Sequence, residues 1–265
     1  FNLCSPIVNR IVVGRFLGGP ALGLFTMAES LAEAPHKISS AVVHQLSFPI
    51  FAKLQHEDAE LRRYFLTITK YVALAALPMQ TGLALVAHDL VVVLLTAKWT
   101  PMVVLFQIFC VGNLFHILAL PPYPLMVARG RAGTLLKLNG AAAVLIATAI
   151  LLGAQVSLLA VGIGWFVVFV ALKLVLLSMA LRELGIPVRS YVRYISPSLL
   201  AALVMSVAVL GGRYAGATSG ALVQRLAFEV ILGASVYVAT LLLLDRRLIG
   251  DMKSIIRDMF VSSHA

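Results

Sequence analysis

Charge is scarce in this chain: 12% of its residues are Asp, Glu, Lys or Arg and 61% are hydrophobic, against about 25% and 45–50% in soluble globular domains. With a mean hydropathy of +0.99, these figures exclude an ordinary soluble domain and indicate an integral membrane protein. Cysteine is nearly absent. Cys4 and Cys110 are far apart in apolar surroundings, which excludes both a disulfide framework and a cysteine metal centre. Runs of alternating polar and apolar residues are lacking too, so a membrane barrel is disfavoured and an all-α helix bundle is expected. No basic leader followed by a short apolar core and a small-residue cleavage site is present, so no segment reads as a signal peptide. The first residue is Phe1 rather than Met, with an apolar stretch already under way at Ile7, and the reading expects a fragment.

Catalytic signatures are missing as well. There is no phosphate-cradling GxxxxGK[ST], no HExxH, no GxSxG and no Cys/His cluster, and Asp58, Asp89, Asp245, Asp251 and Asp258 stand singly at segment borders. An ATP-driven pump or a metal-dependent transferase has nothing to run on within these residues. The expectation is therefore passage rather than catalysis, with no cofactor and no metal.

What is abundant is apolar sequence of bilayer-spanning length. Stretches near 1–17, 21–51, 66–95, 101–127, 134–154, 157–181, 191–211 and 222–244 give eight expected spans, so 1–244 reads as one transmembrane bundle. The joints carry breaker chemistry, as at Gly18-Gly19-Pro20, Arg129-Gly130-Arg131 and Gly185-Ile186-Pro187. Basic residues concentrate in every second joint: Lys53, Arg62, Arg63 and Lys70; Arg129, Arg131 and Lys137; Arg182, Arg189 and Arg193; then Arg246, Arg247, Lys253 and Arg257. The positive-inside rule makes these joints cytoplasmic and places both ends of the fragment there. The net charge of +10 is thus dispersed along membrane borders rather than gathered on one face, and nucleic acid is not an expected partner. From 245 to 265, apolar residues at helical spacing oppose Arg247, Lys253 and Arg257, which reads as an amphipathic tail helix on the cytoplasmic leaflet, in contact with membrane lipids.

Against this background one helix carries a polar stripe: Glu29, Glu33, His36, Ser40, His44 and Ser47, on one helical face, with Lys37 four residues after Glu33. Exposing Glu29, Glu33 and Lys37 to lipid costs on the order of 9 kcal/mol by insertion scales, so the stripe faces protein or water. Intramembrane ionisable groups mark ion or substrate paths, and Pro35 bends the helix by removing a backbone donor. A Glu33–Lys37 helical pair accounts for part of the stripe equally well.

Other candidates are Arg10 and Arg15, whose guanidinium forks suit a phosphate, although Arg15 is close enough to Gly18 to snorkel to the membrane border. Gln107, Asn113 and His116 interrupt the fourth span ahead of Pro121-Pro122-Tyr123-Pro124; they either line a cavity or bridge helices. Lys173 lies deep in the sixth span as a candidate cavity cation. Glu229 is expected to pair locally with Arg225, one turn before it.

The segments Val12-Val13-Gly14-Arg15-Phe16-Leu17-Gly18, Ala21-Leu22-Gly23-Leu24-Phe25, Ile38-Ser39-Ser40 and Phe48-Pro49-Ile50-Phe51-Ala52-Lys53-Leu54-Gln55 together resemble the bacterial polysaccharide transporter family. These are lipid-linked oligosaccharide flippases of the multidrug/oligosaccharidyl-lipid/polysaccharide exporter superfamily. Leu61-Arg62-Arg63, Leu77-Pro78, Lys98-Trp99, Gly130-Arg131 and Lys137 with Asn139 extend the resemblance to about residue 140. It implies the C-terminal half of a two-bundle exporter, partnered by an N-terminal half of the same chain. It also implies the bacterial inner membrane, a polyprenyl-pyrophosphate-linked oligosaccharide as passenger, and alternating access coupled to H+ or Na+. Asn9, where the family pattern has Asp, and Phe25, where it has Tyr, are departures. On this reading Arg10, Arg15, Lys37 and Lys173 hold pyrophosphate, while Glu29, Glu33 and His36 tune or couple. A drug/cation antiporter of the same superfamily is the alternative within transport. A membrane polysaccharide polymerase or transferase would need a large loop or paired carboxylates, and neither is present in these residues. A non-transporting scaffold would show a dry, closed bundle around Glu29 and Lys37.

Overall fold

The computed structural model describes residues 4–54, 56–214 and 221–244. Its elements are α1 (Cys4–Lys53), α2 (Asp58–Leu85), α3 (Ala87–Leu95), a 3-10 turn (Ala97–Met102), α4 (Val103–Leu118), α5 (Pro122–Ala128), α6 (Ala132–Ala154), α7 (Leu158–Glu183), α8 (Val188–Tyr214) and α9 (Leu222–Leu244). The expected all-α membrane bundle is what these residues form. The proposed tail helix at 245–265 lies outside the described residues, as does the side chain of His44.

Within α1, Gly18 has φ 83° and ψ 174°, a region open to glycine and strained for residues with a Cβ. The chain reverses there. A straight helix would hold Arg10 and Glu29 about 28 Å apart, yet Arg10 Nη2 lies 2.9 Å from Glu29 Oε2. α1 is therefore a hairpin, its first arm ending at Leu17 and its second running on from Pro20.

Among the described residues six helices are long and apolar enough to cross a membrane, or seven when the bent pair α2–α3 counts as one span, rather than the expected eight. The difference lies in the hairpin, because Ile7–Lys37 stands as a single candidate. Its first arm, described from residue 4 to 17, rises only about 21 Å, less than the roughly 30 Å of hydrocarbon. The span expected as continuous over 66–95 is instead bent by 74° at Val86. Neither Pro nor Gly stands between Leu83 and His88 to announce this bend. Gln107 Nε2 donates to the Ala84 carbonyl beside it at 3.0 Å.

The breaker joints behave as their chemistry dictates. Gly130 and Gly185 take positive φ, and in each case the glycine amide and the next one bond back to the preceding turn, as with Gly185 to Arg182 O at 3.0 Å and Ile186 to Leu181 O at 2.8 Å. These turns gather the basic joints at one end, over an apolar cluster that includes Phe51, Leu61, Phe65, Leu125, Leu184 and Tyr191. There Arg129 pairs with Asp58, and Arg131 Nη2 lies 3.1 Å from Glu183 Oε2. A second cluster, including Val13, Phe25, Val91, Met102, Ile150 and Val161, fills the opposite end.

Candidate functional site

Between these clusters the two arms of α1, with α4, α5, α6 and α7, enclose a cavity of about 590 Å³. That size is typical of a small-molecule site. Glu29, Glu33, His36, Lys37 and Ser40 of the stripe line it. Asn113 and His116 from α4 and Lys173 from α7 also line it, beside Phe109, Trp165 and Phe169. The aromatic groups form a continuous ladder. Trp165 stacks on Phe169 with ring centroids 4.4 Å apart, His116 meets the Phe169 edge at 5.3 Å, and His36 lies 3.9 Å from His116. Lys173 Nζ stands 5.0 Å from the Phe169 centroid, within cation–π range.

Two expected cavity cations are elsewhere. Arg10 and Arg15 are exposed and do not line the cavity. The reversal at Gly18 sets Arg10 beside Glu29, with Nη2 at 2.9 Å and Nε at 3.3 Å from the same carboxylate oxygen. Arg15, three residues from that reversal, is at the end of its arm, the position from which a long side chain snorkels. Glu33 and Lys37 satisfy both readings, since they line the cavity and also pair at 3.4 Å.

The turn of α1 before Pro35 is tied to two other helices by their side chains. Pro35 brings no amide to the Leu31 carbonyl, and the neighbouring Ala32 carbonyl accepts from Gln80 Nε2 at 3.0 Å and from Asn113 Nδ2 at 2.9 Å. Gln80 is fully buried and Asn113 nearly so. Asn113 thus both lines the cavity and bridges helices. Gln80 escaped sequence reasoning, although an amide inside the apolar run after Pro78 was a usable signal. Asn9, read only as a departure from a family pattern, is buried and lines the cavity. Trp165 and Phe169 were also missed; their spacing of four and four to Lys173 was the signal on α7.

A second polar cluster lies at the opposite end, where Asp89 and Glu229 are buried at 0% and 1% exposure. Arg225 does not pair with Glu229, one turn away on its own helix. Its Nε lies 2.6 Å from Asp89 Oδ2, and Arg213 of α8 takes Glu229 through two bonds of 2.6 and 2.7 Å. The bend at Val86 turns α3 toward α9, which converts Asp89 from a solitary border residue into a buried ion-pair partner.

A bundle of apolar helices around a cavity lined with ionisable groups defines a multi-pass membrane protein. Residues 2–104 match a family described as "Polysaccharide biosynthesis protein". Over 139 residues, half of the chain, it is 32% identical to the teichuronic acid biosynthesis protein TuaB of Bacillus subtilis, covering 29% of that protein. Over 156 residues, 59% of the chain, it is 26% identical to the lipopolysaccharide biosynthesis protein WzxC of Escherichia coli, covering 32% of it. Over 95 residues, 36% of the chain, it is 26% identical to the succinoglycan biosynthesis transport protein ExoT of Rhizobium meliloti, covering 19% of it. The matched stretches take in about a third or less of each relative's length. The chain is thus similar to proteins of bacterial polysaccharide biosynthesis and transport, as its motifs indicated.

Proposed function

We propose that this chain is the second bundle of an exporter that moves polyprenyl-pyrophosphate-linked oligosaccharide units across the bacterial inner membrane. The basic joints then face the cytoplasm, and an N-terminal bundle supplies the facing half of the route. The polysaccharide-related names of the relatives support the class of passenger, and ExoT's name supports transport.

The observation that carries this reading is the charge balance of the cavity. Glu29 is engaged by Arg10 and Glu33 by Lys37, while Lys173 has no carboxylate partner among the described residues. The Lys173 ammonium therefore faces the cavity without a carboxylate of its own in a region of low dielectric, where an uncompensated charge is unfavourable. A pyrophosphate entering the cavity relieves that imbalance, and the neighbouring polar groups and aromatic rings offer donors, acceptors and apolar faces to sugars. Arg10 acts through Glu29, holding its carboxylate rather than meeting the passenger. Glu29, Glu33 and His36 remain the groups through which a coupling ion, H+ or Na+, acts.

Replacing Lys173 with Ala in the full-length protein tests the assignment. Surface polysaccharide, measured at equal membrane abundance, falls strongly in Lys173→Ala and is largely kept in Lys173→Arg. Unchanged export in Lys173→Ala overturns the role given to this cation.

A further inference from the structure

The cavity changes character along its length. The second arm of α1 and α7 both run toward the basic joints, and the ladder of His36, His116 and Phe169 joins them at one level. Lys173 lies four residues past Phe169 on the side of those joints, and Trp165 lies four residues before it on the other side. The two are about 12 Å apart along α7. Glu29, seven residues before His36, is also on the Trp165 side of the ladder, by about 10 Å. Its bond from Arg10 brings the neighbouring Asn9 to the same level.

That end of the cavity holds acceptors in want of donors. Asn9 lines the cavity and is 4% exposed, yet its Oδ1 takes no hydrogen bond from a described residue. Both Arg10 bonds to Glu29 go to Oε2, which leaves Oε1 open to a second donor. A buried acceptor without a donor is unfavourable. An ionised diphosphate has no hydrogen to give and cannot satisfy these oxygens, whereas the hydroxyl groups of a sugar can. A further cation fits less well, because Arg10 already balances the Glu29 charge and Asn9 is neutral.

Trp165 supplies the other part of a sugar site, flat apolar surface for the C–H groups of a ring. Its position is fixed by α4. A Cβ at Gly112 would stand 2.6 Å from Trp165 Cζ3, so the missing side chain lets the indole lie there, and Phe109 meets the indole at 85° with centroids 4.8 Å apart. The ring is held before any ligand arrives, which spares the cost of ordering it on binding.

We infer that the end of the cavity at Asn9 and Trp165 binds a sugar ring of the passenger through its hydroxyl groups, while the diphosphate is held at Lys173. The inference rests on the transport reading for its passenger and adds an orientation, with the sugar away from the basic joints and the diphosphate toward them. Asn9 is then a specificity residue. It favours a hydroxyl donor and discriminates against a sugar that lacks one at that position.

The test uses the full-length protein in a detergent without a sugar headgroup, titrated calorimetrically with two probes. One is the lipid-free oligosaccharide released from the lipid-linked units of the strain that makes the protein, and the other is inorganic pyrophosphate. Asn9→Ala weakens the oligosaccharide about fivefold and leaves pyrophosphate unchanged. Trp165→Leu also weakens the oligosaccharide, and Lys173→Gln weakens pyrophosphate alone. The thermal unfolding midpoint of Asn9→Ala matches the parent, since Oδ1 has no protein bond to lose, and this separates a ligand contact from a structural one. Unchanged oligosaccharide affinity in Asn9→Ala overturns the inference, as does an equal loss for pyrophosphate or a parent that takes up pyrophosphate but no oligosaccharide. Sodium binding that is lost in Asn9→Ala while oligosaccharide affinity is kept overturns it too, and makes Asn9 a cation ligand. The transport reading is judged separately by Lys173: pyrophosphate bound equally by the parent and Lys173→Gln counts against that reading whatever Asn9 does, and binding of neither probe overturns both.

Discussion

The ion pairs joining α3, α8 and α9 make an asymmetric prediction about stability. Asp89 and Glu229 are fully enclosed, whereas the side chains of Arg213 and Arg225 keep 28% and 35% exposure. Removing Arg225 strands a buried carboxylate, leaving Asp89 with Arg213 at 4.0 Å and the His88 ring at 3.0 Å. Breaking a buried pair from one side costs about 3–5 kcal/mol, and those two residual contacts place Arg225→Gln near the lower end. Asp89→Asn instead leaves a guanidinium already in contact with solvent, which can rehydrate, and costs about 1–2 kcal/mol. Converted at about 2–4 °C per kcal/mol, Arg225→Gln lowers the unfolding midpoint by about 6–12 °C and Asp89→Asn by about 2–8 °C. The double variant, with neither charge, is more stable than Arg225→Gln alone. Thermal unfolding of the four proteins in one detergent measures the cycle. An Asp89→Asn variant as unstable as Arg225→Gln, or a double variant that falls by the sum of the two, refutes the reasoning.

Other outcomes follow from the same contacts. Gln80→Leu or Asn113→Leu alone leaves the Ala32 carbonyl one side-chain donor and costs about 0.6–1 kcal/mol. Both together remove both side-chain donors to this carbonyl, and the double variant loses more than either single one in the same unfolding assay. Gly153→Ala places a methyl 2.7 Å from the Val161 amide nitrogen, where backbone cannot yield, and destabilises by about 1–3 kcal/mol. Gly140→Ala meets nothing within 4 Å and is neutral or stabilising by up to about 1 kcal/mol. Export falls in Arg10→Ala and partly returns in Arg10→Lys, which keeps a cation beside the Glu29 carboxylate. Absence of that rescue at equal expression rejects Arg10 as the residue that positions Glu29.

Much of the cavity was legible because the bilayer makes polarity expensive. Glu29, Glu33, His36 and Lys37 announce their face by helical spacing alone, since no other orientation of an apolar helix tolerates them. The same logic named Asn113, His116 and Lys173, which line the same cavity. It failed for Arg10 and Arg15 because a long cation near a helix reversal has two outlets, a neighbouring carboxylate or the membrane border. It also failed for the pairing of Glu229, where a local partner one turn away lost to Arg213 on another helix. Local spacing offers a candidate partner; the approach of a second helix decides whether the pair forms.

The sequence by itself determined the helical class, the membrane setting, the inward face of the stripe and the grouping of basic joints at one end. Each follows from a property of residues in order along the chain: hydropathy, periodicity, breaker chemistry or charge count. Only the tertiary structure decided that α1 folds back at Gly18, that α2 and α3 bend at Val86 without a proline or glycine at the bend, and that Gln80 and Asn113 meet on the Ala32 carbonyl. These depend on groups distant in sequence competing for the same hydrogen bonds and charges, and packing alone determines which of them come within reach.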